Sequence, residues 1–492
     1  MRWLGRRGRT FFVGGALTAV ALVPASVRAQ GVRGWVGTTV QTVDLRPLTL
    51  DSIPLFQAVM GPDGTYTYLG QPVTCEAADL CTFYRPLPKE RATVATQDVS
   101  LTAWGFGVQG LSVTTLLRGR ARAGTDLLWP RSDDDFDVMV GYAQLVRGDV
   151  RVRVGRQELR SGLGFSAFDG GAASVGLGAF SVEAYGGRSL ARGLREPTNE
   201  ALSSLESFIP DESVYLFGGA AYGRVSSTTF TARYQREILS DRSSLVSERA
   251  SFDFVSTLPG ARISGAVDYD FSFQRMGKSR LTVARPLAGG RGLVEASVRR
   301  YVPYFQLSTI WGFFEPVSYT EAELRTAWSP TGFLGLWVSG GWRKYGDSRA
   351  TVVFRPLRDD GWRASAGMRA EMREGLSMDG SYRLEWGPGS FLSSGDLALR
   401  YQALDRLSFA AHGTTFQQIE EFRLGDGRAY GGGISFDLRL LGRATLSGGG
   451  TVLKHRDGGS VFSSPWNQSR AWSALRIDVG GDPGLAQRRN RS

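Results

Sequence analysis

Apolar and polar side chains alternate residue by residue through most of this chain. In the segment from Trp362 to Trp386, one set of alternate positions holds mainly tryptophan, alanine, methionine and leucine, and the other mainly arginine, serine, glutamate and aspartate. A period of two is that of a β-strand, whose successive side chains point to opposite faces. The tripeptide Arg373-Glu374-Gly375 separates the two runs, so they predict a β-hairpin with one apolar and one charged face.

The same alternation recurs between residues 32 and 480 in about 22 runs of roughly ten residues each, within a range of about 18 to 24 runs. Short turn segments, such as 147–149 and 403–406, alternate with longer polar stretches, such as 190–212. The count of about 22 assigns residues 350–354 to a loop. That assignment keeps the short turns on one side of the sheet throughout, and it brings the first and last strands to that same side.

The apolar face of these strands must contact either a second sheet or lipid. A soluble sandwich packs apolar faces against each other, whereas a membrane barrel turns them to hydrocarbon and lines a watery lumen with its polar face. Runs of about ten residues suffice to cross a bilayer when tilted, and closure satisfies every backbone group. Aromatic residues near run ends also favour the barrel, namely Trp328, Trp342, Trp362, Trp386 and Tyr401. We therefore predict an all-β fold, a transmembrane antiparallel up-and-down β-barrel.

The N-terminus has the pattern of a secretory signal peptide. An arginine-rich start precedes an apolar stretch from Phe11 to Val23 and a small-residue cleavage pattern before Gln30. A twin-arginine signal is the alternative, and it is disfavoured because a protein folded before export could not insert as a barrel. The predicted organisation is a signal peptide at 1–29, a barrel at 30–480 and a tail at 481–492, with no run of 18 apolar residues after the signal.

Composition adds limits on partners and cofactors. The chain has 492 residues with a formal net charge of +11, and removal of the five signal-peptide arginines lowers that charge to +6. A nucleic-acid partner therefore loses most of its support, and we expect none. The only cysteines, Cys75 and Cys81, lie six residues apart in the long connector 46–96, and in an exported protein they predict a disulfide bond. No histidine lies nearby, so we expect neither a metal site nor a cofactor.

The segment "VRVGRQELRSGLGFSAFDG", residues 152–170, resembles the corresponding strand and loop of alginate-export-type and related large outer-membrane porins. Such families conduct hydrophilic solutes or anionic polysaccharide passively through an arginine-lined pore. The resemblance implies that Arg151, Arg153 and Arg156 lie on or near the lumen wall. Outer-membrane barrels usually finish on an aromatic residue in the last strand, whereas this chain continues beyond Val479.

The charged face supplies the candidate pore-lining residues. An equal mixture of signs indicates a wall of cross-strand ion pairs, whereas an excess of arginine favours a pore that attracts anions. Both interpretations remain open at this stage. The predicted pore-lining residues are Arg151, Arg153, Arg262, Asp268, Asp270, Arg363, Arg369, Glu371, Asp379, Arg383, Glu385, Asp437, Arg439 and Arg476.

The expected function is passive diffusion of small hydrophilic, including anionic, solutes across the bacterial outer membrane, with connector 46–96 folding inward to narrow the pore. A polysaccharide-export porin and a non-conducting structural or adhesive barrel are the alternatives. An enzyme is not expected, because the only histidines, His412 on the lumen face and His455 in a loop, belong to no recognisable catalytic motif. Active import would need a larger plug than this connector offers. The acidic segment 131–137 is a calcium-site candidate or a solvated loop.

The expected partners follow from the membrane location. They are outer-membrane lipid and lipopolysaccharide, the barrel-assembly machinery, the solutes themselves and a second copy in a homo-oligomer.

Overall fold

The computed structural model describes residues 31–45, 48–61, 66–69, 71–75, 79–86, 88–124, 136–190, 213–240, 244–302, 318–346, 360–387, 390–421, 427–457 and 466–480. The predicted signal peptide, the predicted tail, most of the acidic segment and residues 350–354 lie outside this part of the chain.

The strands are numbered here in chain order, and five of them form a small sheet between the first and second barrel strands. The first barrel strand is β1 Gly31–Leu45. The strands of the small sheet are β2 Leu48–Pro54, β3 Val59–Met60, β4 Tyr66–Tyr68, β5 Gln71–Cys75 and β6 Leu80–Pro86. The next eleven are β7 Glu90–Trp104, β8 Leu111–Gly124, β9 Phe136–Arg147, β10 Val150–Ser161, β11 Gly164–Leu177, β12 Phe180–Ser189, β13 Val214–Val225, β14 Thr228–Leu239, β15 Leu245–Leu258, β16 Ala261–Asp270 and β17 Arg275–Pro286. The last ten are β18 Gly292–Tyr301, β19 Tyr319–Thr331, β20 Leu334–Tyr345, β21 Asp360–Arg373, β22 Leu376–Gly387, β23 Ser390–Leu404, β24 Leu407–Glu421, β25 Gly427–Leu441, β26 Ala444–Asp457 and β27 Trp466–Gly480.

Strands β1 and β7 to β27 form one closed antiparallel barrel of 22 strands, as the alternation predicted. Closure is made by β1, which pairs with β27 on one side and with β7 on the other. Each strand therefore has two hydrogen-bonded neighbours, and the sheet has no open edge to expose in hydrocarbon.

The connections divide the barrel into two rims. One rim, the short-turn end, carries two-residue turns at 148–149, 178–179, 226–227, 259–260, 332–333, 374–375, 405–406 and 442–443. The pairing of Arg33 with Gly480 places the start of β1 and the end of β27 at this rim too. The opposite rim, the loop end, carries most of the longer connections, but the β10–β11 hairpin turns there over only two residues, 162–163. The prediction that all short turns lie on one side is therefore wrong at this hairpin. Outer-membrane barrels point their short turns to the periplasm.

The outer face is apolar and ends in aromatic residues. Trp342 pairs with Trp362, which pairs in turn with Trp386, so one row of tryptophans crosses three strands near the loop end. Trp328 and Tyr401 lie near the short-turn end and are also exposed. Amphipathic rings concentrate at both interfaces of a bilayer, so these two levels mark the apolar band.

The small sheet has the order β2-β6-β5-β4-β3 and a core of its own, made by Ile53, Val73, Phe83 and Cys81. A disulfide bond joins Cys75 to Cys81. The connector ends before Glu90, where β7 begins, and not at residue 96 as predicted. Within the described residues the sheet packs on itself and makes no extended contact with a barrel strand. The expected inward fold of this connector stays a prediction.

The described helices are two short 3₁₀ turns, Leu55–Gln57 and Ala288–Gly290. Neither is long and apolar enough to cross a membrane.

Candidate constriction and charged lumen wall

The strand register places all fourteen predicted pore-lining residues on the face opposite the exposed apolar side chains. This inner face is identified by its cross-strand ion pairs, whereas residues such as Val338 and Ile434 on the other face are largely exposed. The structure brings Arg369 and Asp379 into direct contact, with Nε and Oδ1 2.7 Å apart. Contact between these residues and a solute stays a prediction.

Two of the predicted residues belong to a cluster that the sequence did not reveal. Its centre is Glu321, whose carboxylate is 2% exposed and accepts hydrogen bonds from Arg299, Arg343 and Arg363 over 2.6–3.0 Å. The guanidinium of Arg343 also lies over the ring of Tyr319, 4.5 Å from its centroid. Charge-assisted bonds of this kind are short and directional, so the cluster braces neighbouring strands β18 to β21.

Two further glutamates neutralise the same cluster. Arg363 Nη2 lies 2.9 Å from Glu323 Oε2, and Arg343 Nη1 lies 2.7 Å from Glu385 Oε1. Three arginines therefore face three glutamates. This part of the wall is therefore a network of cross-strand ion pairs, one of the two arrangements that the sequence left open. Its charges balance, so it contributes little net electric field to the lumen.

The β10–β11 hairpin leaves the barrel wall. Strand β10 pairs with β9 only as far as Arg156, and β11 pairs with β12 only from Phe168 onward. Residues 157–166, the constriction hairpin, are therefore free to bend away from the cylinder. Gly155 lies at the bend with φ +127°, and a Cβ there would lie 2.3 Å from the carbonyl oxygen of Gly141. Only glycine fits this backbone conformation and this close approach.

An apolar cluster holds the constriction hairpin against the inner face. Phe168 and Leu216 are almost fully buried and pack with Tyr185, and Leu159 of the hairpin contacts this group. These side chains come from β10 to β13, so the hairpin lies across the strands that follow it. Full burial of a leucine or phenylalanine side chain is worth about 1.5–3 kcal/mol, so this cluster stabilises the attachment.

Hydrogen bonds extend the attachment to the next two strands. Gln235 Nε2 donates to Ser166 Oγ at 3.2 Å, and Arg249 Nη1 donates to the carbonyl oxygen of Leu163 at 2.9 Å. Arg249 Nη2 also donates to Asp268 Oδ2 at 2.9 Å. The hairpin tip thus reaches β14 and β15, crossing the inner face of β12 and β13.

Two predicted pore-lining residues are buried instead of facing the lumen. Asp268 is 8% exposed because it holds Arg249 beneath the hairpin tip. Asp270 is 4% exposed because the backbone N–H groups of Ser272 and Phe273 donate to its carboxylate in the β16–β17 turn. Strand parity assigned their face correctly, and only the three-dimensional packing shows that other groups cover them.

The base of the hairpin is fixed by Arg156. Its Nε and Nη2 donate to the two oxygens of Asp169 at 2.7 and 2.8 Å, and Nη1 donates to the carbonyl oxygen of Val138 at 2.9 Å. Asp137 lies 3.8 Å away, inside β9 and not in a loop as predicted. Within the described ranges, no group of three or more potential ligands could hold a metal ion.

A row of three arginines was missed from the sequence. Arg118, Arg120 and Arg122 alternate along β8, so they share its inner face. Arg118 forms a two-bond pair with Asp98, at 2.7 and 3.0 Å. The residues opposite the other two on β7 are an uncharged threonine and valine. The sequence "RGRAR" was the signal for this row. Its outward positions are glycine and alanine, so the difference in hydrophobicity between outward and inward positions is small.

The barrel is too wide to be closed by wall side chains alone. Twenty-two strands spaced by about 4.8 Å and tilted by about 40° enclose a backbone diameter of about 44 Å. The constriction hairpin leans over β12 to β15 and narrows that side. The arginines of β8 lie on the other side of β10, along wall that the hairpin leaves uncovered.

The two histidines lie apart from this region. His412 is on the inner face of β24, as predicted. The prediction that His455 lies in a loop is wrong, because β26 continues to Asp457.

No family model matches the chain, and no curated protein matches it. Among solved structures, the siderophore receptor PirA from Pseudomonas aeruginosa is 13% identical with a TM-score of 0.50, over 92% of this chain and 81% of that chain. A BenF-like porin from Pseudomonas fluorescens Pf-5 is 10% identical with a TM-score of 0.41, over 92% and 100%. Pseudomonas aeruginosa OccK2 (OpdF) in complex with glucuronate is 10% identical with a TM-score of 0.39, over 91% and 98%. At such identity the likeness establishes the fold alone, a β-barrel of the bacterial outer-membrane type.

Proposed function

We propose that this barrel is a passive channel of the bacterial outer membrane for small hydrophilic solutes and that it favours anions. The outer face carries an apolar band between two aromatic levels, which suits lipid. The inner face carries charged and hydroxyl side chains, which suit a water-filled lumen. A hairpin built from the wall itself narrows that lumen, so solutes are selected by size as well as by charge.

The observation that carries the anion preference is the β8 row. The Glu321 cluster has three arginines and three glutamates, whereas the three arginines of the β8 row have two carboxylates as cross-strand neighbours, Asp98 on β7 and Asp137 on β9. Arginines that line a confined aqueous path raise the local concentration of anions. Arg153 adds a further positive charge on β10, where its Nε donates to the neutral amide of Gln144 at 2.9 Å.

Reconstitution into planar bilayers tests the proposal. The purified barrel should give stepwise conductance increments, and a potassium chloride gradient should give a reversal potential of the sign expected for chloride preference. Stepwise conductance with the opposite sign would refute the anion preference alone. A folded protein that stays silent would refute the channel and favour a structural or adhesive barrel.

A polysaccharide-export channel would differ from the proposed small-solute channel in the size of the solute that it conducts. An export channel should be blocked by long anionic polysaccharide and relieved by voltage of one polarity, whereas a small-solute channel should exclude the polymer. We propose no catalytic step, and an esterase or protease activity that His412→Ala abolished would contradict this.

A further inference from the structure

The inner face of β19 to β24 contains a second feature, away from the constriction hairpin. A cavity of about 560 Å³ opens there toward the lumen. The chemically distinctive side chains that line it are Trp337, Arg325, Arg369, Asp379, Asp396 and His412. The cavity combines one large aromatic surface with several charged hydrogen-bonding groups.

Trp337 is held flat by the strand next to it. It faces inward on β20, whereas its neighbours Leu336 and Val338 face outward and are exposed. A Cβ at Gly367, the residue paired with it on β21, would lie 2.5 Å from the indole ring. The glycine therefore leaves room for the ring to lie against the wall. Such an aromatic surface contacts the apolar C–H face of a sugar ring.

The polar groups around the indole are balanced in charge. Arg369 pairs with Asp379 at 2.7 Å, and the guanidinium of Arg325 lies over the Trp337 ring, 5.0 Å from its centroid. A sugar ring therefore reaches the indole face only when Arg325 turns aside and donates to the sugar. Within the described residues neither Arg325 nor Asp396 has an ion-pair partner, so one free donor group and one free acceptor group line the cavity. Two arginines and two aspartates together carry no net charge.

The dimensions of the cavity indicate a solute longer than one sugar unit. From β20 to β24 there are four interstrand spacings of about 4.8 Å, which gives a length of about 19 Å along the wall. A shallow cavity of this length accommodates two or three linked pyranose rings. Carboxylates accept hydrogen bonds from sugar hydroxyls and guanidinium groups donate to sugar oxygens, whereas the balanced charges give an anion no net attraction.

We infer that this cavity is a binding site for a short neutral oligosaccharide. The inference rests on the proposed function only in that a solute must be able to enter the lumen. It does not depend on the arginines of β8, which lie on a different part of the wall.

Isothermal titration of the detergent-solubilised barrel with maltotriose and cellotriose tests the site. At least one of these neutral trisaccharides should bind the native protein, and glucuronate should bind more weakly. Trp337→Ala should weaken trisaccharide binding about tenfold, and Trp337→Phe by about threefold or less. Trp342→Ala is the matched control, because Trp342 lies on the same strand and faces outward; it should leave binding unchanged.

Failure to bind either trisaccharide, equal binding by Trp337→Ala, or tighter binding of glucuronate would each overturn the inference. Gly367→Ala supplies an independent test, because the added methyl group would displace the indole and should weaken binding without removing an aromatic ring. Binding measured in detergent is separate from conduction. A barrel that binds a trisaccharide but conducts nothing refutes the channel only, and one that conducts but binds neither refutes the site only.

Discussion

Neutralising two arginines of the β8 row should change ion selectivity by an amount that the geometry allows us to estimate. The double variant Arg120→Gln/Arg122→Gln keeps the length and polarity of the side chains and removes two positive charges. Arg118 is left in place because it is paired with Asp98. An ion that passes about 7 Å from one such charge in water gains or loses about 0.6 kcal/mol before screening.

Screening sets the size of the effect. At 0.1 M salt the Debye length of about 10 Å halves this energy, so two charges contribute about 0.6 kcal/mol to a monovalent anion and oppose a cation equally. The anion-to-cation permeability ratio should therefore fall about sevenfold in the variant. At 1 M salt the Debye length is about 3 Å, and the same calculation gives a change of only about 1.5-fold.

Reversal potentials in planar bilayers give the anion-to-cation permeability ratio at both salt concentrations. The two measurements use the same concentration ratio across the bilayer. Arg236→Gln/Arg300→Gln is the matched control, because both side chains are exposed on the outer parity of β14 and β18. An unchanged ratio at 0.1 M would refute the role of the β8 row. A change of the same size at both salt concentrations would show that the substitutions altered the pore itself and not its field.

Three further predictions concern the parts that shape the lumen. Phe168→Ala removes the buried ring under the constriction hairpin and should raise mean single-channel conductance and its fluctuations, whereas Phe165→Ala, exposed on the same hairpin, should not. Glu321→Gln removes the charge that three arginines share, so chloride preference should rise and the midpoint of thermal unfolding should fall by several degrees in circular dichroism. Cys75→Ser together with Cys81→Ser should increase protease cleavage within the small sheet while conductance stays unchanged, because that sheet packs on itself.

Strand alternation was sufficient to predict the barrel. A period of two, the spacing of turns and the side on which most short turns fall predicted about 22 strands within a range of about 18 to 24. The faces of Arg363, Arg369 and Glu385 followed from the same parity. The partners across neighbouring strands could not be predicted in this way. Glu321 contacts three arginines because of the strand register and the length of the side chains, and the sequence of a single strand specifies neither.

The constriction hairpin shows the limit of sequence pattern most clearly. Its strands alternate like any others, so the pattern predicts two ordinary wall strands. What turns them inward is a glycine at a bend and a contact with residues up to about 90 positions later in the chain. The segment was singled out by resemblance, but the narrowing was expected from connector 46–96, because long connectors are more often functional.

The position of the hairpin also bears on the order in which the barrel is assembled. Strands β10 and β11 are synthesised before the residues that hold them, Leu216, Gln235 and Arg249. The narrow passage therefore exists only when the six strands from β10 to β15, the fifth to the tenth of the barrel, are joined in one sheet. This holds whichever end of the chain enters the membrane first.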